Sequence, residues 1–148
     1  LAEVILGLDL SLRATGIVAV PVRWGLDWSR VHSFVVGSSL PNTATPRQRF
    51  ERIDGIAGQV LEHARRFSCG TVAIEEYAFS RSDAHAHEIG ELGGVVRLEL
   101  FRAGLDVCVY HASSSRKLLG KAPRKAAKDW AAGRLVSTGA PAAWLGDQ

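Results

Sequence analysis

The sequence predicts an α/β fold in the order βββαβαβα, built as one domain of 148 residues. Three observations carry this prediction. Apolar, β-branched runs of strand length crowd the first quarter of the chain, and two amphipathic runs at helical spacing then alternate with further strand-like runs. A hydrophobic content of 47% is enough for one good core at this length, and no internal repeat, low-complexity tract or long linker divides it.

Residues 4–10 read as a buried strand, and residues 11–16, Ser-Leu-Arg-Ala-Thr-Gly, as a turn. Residues 17–23 are the returning strand and 31–36 a third, after a loop bearing Trp24 and Trp28, so the three predict an antiparallel meander. Thr45-Pro46 supplies an N-cap followed by proline at the first helical position. Phe50, Ile53, Ala57, Val60, Leu61, Ala64 and Phe67 then recur at helical spacing, with the helix ending near Phe67. Residues 71–75 are the fourth strand, and a polar stretch over 80–87 leads to a second helix faced by Ile89, Leu92, Val96 and Leu100 and capped by Gly104. Residues 106–110 form a fifth strand. Ser113, Ser114 and Ser115 offer a cap for a short helical turn to Gly120, and residues 124–136 have helical composition.

Charge is unevenly placed. Residues 1–115 hold 11 Lys/Arg against 13 Asp/Glu, whereas residues 116–134 hold 7 against 1, including every lysine of the chain. Such a segment is the electrostatic footprint of phosphate-backbone contact, or else a solvated basic helix face. No run approaches a membrane span, and Glu3 and Asp9 spoil the N-terminus as a signal peptide, so an intracellular, cytoplasmic protein is expected. The chain begins with leucine and has no methionine, so its natural start is expected to differ. Cys69 and Cys108 lack metal-ligand spacing and read as free thiols, a disulfide between them remaining open.

The chemistry is carried by two acids, each closing an apolar run: Asp9 after Val4-Ile5-Leu6-Gly7-Leu8, and Glu75 after Thr71-Val72-Ala73-Ile74. A charge is costly to bury unless paired or bound to a metal, so two strand-end carboxylates point to a shared cation. The competing readings are a turn cap for Asp9 and a strand-end surface charge for Glu75. Glu76 alternates to the opposite sheet face. His85 and His87 lack the further ligands a zinc site needs.

Three stretches, Ile5-Leu6-Gly7-Leu8-Asp9-Leu10-Ser11-Leu12-Arg13-Ala14-Thr15-Gly16, then Val72-Ala73-Ile74-Glu75 with Tyr77, Phe79 and the helix Ile89-Gly90-Glu91-Leu92-Gly93-Gly94-Val95, and then Ser115-Arg116-Lys117-Leu118-Leu119-Gly120-Lys121 running into Lys125 and Lys128, follow one another along the chain. In order and spacing they resemble the RuvC family of Holliday junction resolvases, within the ribonuclease H-like fold. The first motif alone also occurs in actin-like and sugar-kinase ATPases, but 148 residues supply one copy of a domain that those folds duplicate. The resemblance implies a mixed five-stranded sheet whose first and fourth strands lie side by side. It further implies metal-dependent hydrolysis of branched DNA, with Mg²⁺ as cofactor and Mn²⁺ a plausible substitute, and a homodimer paired through the glycine-bearing helix.

Asp9 and Glu75 are the implied metal ligands, with Asp147 the match for the first acid of a last helix that the chain does not continue beyond Gln148; Asp129 is the weaker candidate. Tyr77 and Phe79 fall where relatives present an aromatic to the junction, and Arg81 joins them as a DNA contact. Arg116 or Lys117 compensates for Ser115 at the family's basic position, and Lys121, Lys125 and Lys128 continue the DNA-binding segment, Lys128 slightly ahead of Lys125. A non-catalytic branched-DNA-binding module with an incomplete acidic set is the second reading, and a phosphate-handling enzyme binding nucleotide at residues 11–16 the third.

Overall fold

The computed structural model describes residues 3–22, 27–41, 43–76, 86–111 and 114. Five strands, β1 (Val4–Asp9), β2 (Thr15–Pro21), β3 (His32–Val36), β4 (Thr71–Glu76) and β5 (Asp106–His111), and two helices, α1 (Pro46–Arg66) and α2 (Ala86–Arg102), follow one another as the pattern predicts. A 3-10 turn, Trp28–Arg30, precedes β3. The sheet order is β3-β2-β1-β4-β5. β1, β2 and β3 form the antiparallel meander, and β4 joins β1 in parallel, with β5 parallel beyond it.

The two-residue period of the strands sorts the sheet into two faces. Leu6, Leu8, Ile17, Ala19, Val72 and Ile74 are buried on one of them, together with Ile53, Ile56, Ala57, Val60 and Ala64 of α1 and Leu92, Val96 and Leu100 of α2. Each such Leu or Ile contributes about 1.5–3 kcal/mol by leaving water, so this face is where the fold is held. Asp9 and Glu75 fall on the other parity and stay exposed.

Helix α1 starts as its sequence predicts. The Thr45 hydroxyl accepts the Gln48 N–H at 3.3 Å while Gln48 Oε1 accepts the Thr45 N–H at 2.8 Å, a reciprocal capping box, and Pro46 occupies the first turn. Its apolar stripe reaches the core only from Ile53 onward. Phe50, expected in that stripe, is 62% exposed, about one turn short of Ile53, the first buried position of the helix.

Other boundaries shift for identifiable reasons. β2 begins at Thr15 rather than Ile17, since Thr15 and Gly16 already pair with Val36 and Val35. α2 begins at Ala86, inside the polar stretch expected to be loop, because Glu88 in its first turn is held by Arg49 and Arg52 of α1 at 3.0 and 2.9 Å. Gly104 takes φ +78° just past the end of α2, as a terminating glycine should.

Both cysteines are free, Cys69 buried and Cys108 half-buried, and burial pushes the Cys69 thiol above its ordinary range. No helix among the described residues is long and apolar enough to cross a membrane. Trp24, Tyr77, Phe79, Arg81, His85, the 116–134 basic segment with Asp129, the expected helical turn to Gly120, the expected last helix over 124–136, and Asp147 lie outside the described residues.

Candidate metal centre

The site is built by register. β1 and β4 pair as Ile5 with Thr71, Leu6 with Val72, Gly7 with Ala73 and Leu8 with Ile74, so the next rung sets Asp9 beside Glu75. Neighbouring parallel strands lie about 4.8 Å apart, and paired residues send their side chains to the same face. Two carboxylates therefore emerge together at the carboxyl end of the two central strands. Both are exposed, and neither forms a hydrogen bond or ion pair among the described residues. Asp9 does not cap the turn that follows it, which removes that competing reading. Like charges this close repel, and a bound cation relieves the repulsion. A hard divalent cation suits oxygen donors of this kind.

On the other side of Asp9 stands Gly16, its partner in the β1–β2 ladder. A methyl group at Gly16 would sit 3.8 Å from the Asp9 Cβ. Glycine thus puts no side chain of its own beside the carboxylate.

The turn joining Asp9 to Gly16 is held from inside. Thr15 is fully buried, and its hydroxyl donates to the Ser11 carbonyl at 2.6 Å and accepts the Ser11 N–H at 3.0 Å. Leu10 and Leu12 anchor the same turn in the core. From outside, Gly37 presses on it with φ +152°: a Cβ there would lie 2.5 Å from the Arg13 carbonyl oxygen. Ser38 adds an N–H bond to the Leu12 carbonyl at 3.4 Å. Asp9 is consequently presented by a fixed backbone.

Glu76 points away from the pair, as alternation predicts, and is bound by His111 Nδ1 at 2.7 Å across β4 and β5. Three parts of this neighbourhood are not assigned by sequence reasoning: the Thr15 clamp, the Gly37 buttress, and the bridge from Glu88 to Arg49 and Arg52. Their signals were a hydroxyl ahead of glycine, a lone glycine ahead of two serines, and an acid just after a polar stretch, none specific in isolation. His87 is exposed in the first turn of α2, and no group of three His, Cys, Asp or Glu side chains arranged for a metal occurs among the described residues. Of the three proposed ligands, the structure brings together the two it describes.

A mixed sheet in the order β3-β2-β1-β4-β5, with acids at the ends of the adjacent parallel strands β1 and β4, defines the ribonuclease H-like fold. The comparisons narrow this class. Two RuvC proteins from strains of Thermus thermophilus, each named crossover junction endodeoxyribonuclease RuvC, are 33% identical to this chain over 109 residues, covering 72% of it and 63% of their own length. The match therefore spans a little under two thirds of these relatives. The structure of T. thermophilus RuvC in complex with Holliday junction substrate superposes with a TM-score of 0.66 at 26% identity, covering 94% of this chain and 82% of that one. The yeast mitochondrial Holliday junction resolvase shares the fold, with a TM-score of 0.59 at 11% identity over 93% of this chain and 62% of that one. No family model matches. The chain is a RuvC-like protein of the ribonuclease H-like superfamily.

Proposed function

We propose that this protein is a structure-specific endodeoxyribonuclease that hydrolyses phosphodiester bonds in branched DNA, with Holliday junctions cut in pairs as its main substrate. The observation that carries the reading is the Asp9–Glu75 pair: adjacent, exposed carboxylates, unpaired among the described residues, beside a position without a side chain. The likeness to RuvC proteins supports the same conclusion.

Asp9 and Glu75, with Asp147 as third ligand, would hold Mg²⁺ or Mn²⁺. A bound divalent ion supplies Lewis-acid stabilisation of the phosphate and a water of lowered pKa. The protein's own part is positional. The Thr15 clamp fixes the backbone that presents Asp9, Gly16 leaves room for a phosphate to approach it, and β4 holds Glu75 in register alongside. Tyr77, Phe79 and Arg81, following β4, would meet the branch point, and Arg116, Lys117, Lys121, Lys125 and Lys128 would bind the backbone of the arms.

Pairing of two copies through α2 would set two such sites on one junction. Its support is the helix face where Gly94 meets nothing within 4 Å and where Leu98 and Phe101 stay 45% and 74% exposed. The glycines divide here: Gly93 is buried, and Gly94 is exposed on a face that no other described residue covers.

The test is a labelled synthetic four-way junction beside a linear duplex of the same arms, with and without Mg²⁺, for the wild type and Asp9→Asn. Paired nicks confined to the junction, and absent without Mg²⁺ or in Asp9→Asn, are expected. Tight junction binding without cleavage would make the protein a binding module instead.

A further inference from the structure

The end of the sheet that carries Asp9 and Glu75 holds several arginines, and their partners differ in a way that matters. α1 ends five residues ahead of β4, at the opposite end of the sheet, and its 21 residues rise about 30 Å back toward the carboxylates, so Arg47, Arg49 and Arg52 in its first turns belong to the site's end. Each has an acidic partner, one carboxylate serving two of them. Arg47 pairs with Glu51 at 2.8 Å, and Arg49 and Arg52 share Glu88. Arg13 has no acidic partner among the described residues, and it is exposed.

Its place is set by the turn. Arg13 is four residues beyond Asp9 and three ahead of Gly16, the residue paired with Asp9, so its Cα lies within about 11 Å of Gly16 by chain length alone. The backbone there is not free to move: Thr15 ties the turn closed through Ser11, Leu12 is buried beneath it, and Gly37 lies against the Arg13 carbonyl itself. A guanidinium on a rigid stem matches a phosphate bidentately and loses less entropy on binding than one on a mobile loop.

We propose that Arg13 binds a backbone phosphate flanking the bond presented to Asp9 and Glu75, and so positions the DNA strand over the carboxylates. This rests on the nuclease reading above. It assigns DNA contact to the turn after β1, separate from the aromatic and basic positions expected at 77–81 and 116–128.

The experiment is binding of a fluorescent four-way junction in EDTA, where no cut occurs, across 50–200 mM salt, for the wild type, Arg13→Gln and Arg13→Lys. Loss of one phosphate contact should lower the slope of log K against log salt by about 0.9, and affinity at the low-salt end by roughly tenfold. Arg13→Lys should recover the slope but only part of the affinity, having the charge without the fork. Thermal unfolding of Arg13→Gln should match the wild type, since the side chain is exposed. A wild-type slope and affinity in Arg13→Gln would overturn the role of Arg13 alone. Absence of junction binding by the wild type would overturn the nuclease reading, and this inference with it.

Discussion

Replacing Thr15 by valine keeps the shape of the side chain and removes one hydroxyl, at a position with no solvent exposure. That hydroxyl closes the turn after Asp9 twice, donating to the Ser11 carbonyl at 2.6 Å and accepting its N–H at 3.0 Å. Each hydrogen bond contributes about 0.5–1.5 kcal/mol net, and the partly buried Ser11 groups regain water incompletely, so Thr15→Val should cost about 2–3 kcal/mol. For a domain of this size that corresponds to a fall in Tm of about 4–12 °C. Thr15→Ser keeps both bonds and removes only a buried methyl, at about 1 kcal/mol. Urea and thermal unfolding followed by circular dichroism measure both variants against the wild type. A Thr15→Val protein within 0.5 kcal/mol or so of the wild type, or a serine variant as damaged as the valine one, would refute the clamp.

The remaining structural predictions concern the neighbouring supports. Gly37→Ala sets a Cβ against the Arg13 backbone at a positive φ, and should cost about 2–3 kcal/mol by chemical denaturation while also lowering the cleavage rate through the displaced turn. Glu88→Ala leaves the Arg52 guanidinium, 8% exposed, without its carboxylate and should cost about 3 kcal/mol in the same assay. Glu51→Ala breaks only the exposed pair with Arg47 and should stay within about 0.5 kcal/mol of the wild type. Phe101→Glu, placed at the open face of α2, should leave Tm unchanged and convert a dimer to a monomer by sedimentation; a dimer that survives it does not pair there.

The existence and order of the elements were legible because strand and helix periods differ so clearly here. Residues 4–9 and 71–75 alternate or run apolar over strand length, and the 46–66 helix carries its cap, proline and stripe in sequence. The acids were legible as types at strand ends. Their meeting was not, because register between two parallel strands 66 residues apart is a tertiary fact; it came by resemblance, and the β1–β4 ladder supplies it. What supports the site was hidden for the same reason. Thr15 shows its role only once its hydroxyl is buried over Ser11, and Gly37 only once its backbone is seen against Arg13. Glu88, just past the polar stretch, shows no role until two arginines from 36 and 39 residues earlier reach it. Phe50 misled in the other direction, since its spacing fits the stripe while the core stops one turn short of it.

The central claim is that Asp9 and Glu75 hold one divalent cation between them. It is tested most directly by Mn²⁺ binding, read by electron paramagnetic resonance, for the wild type, Asp9→Asn, Glu75→Gln and the double variant at equal stability. A shared site predicts that either single substitution weakens binding by an order of magnitude or more, and that the second adds little to the first. Wild-type affinity in either single variant, or losses that simply add, would contradict it.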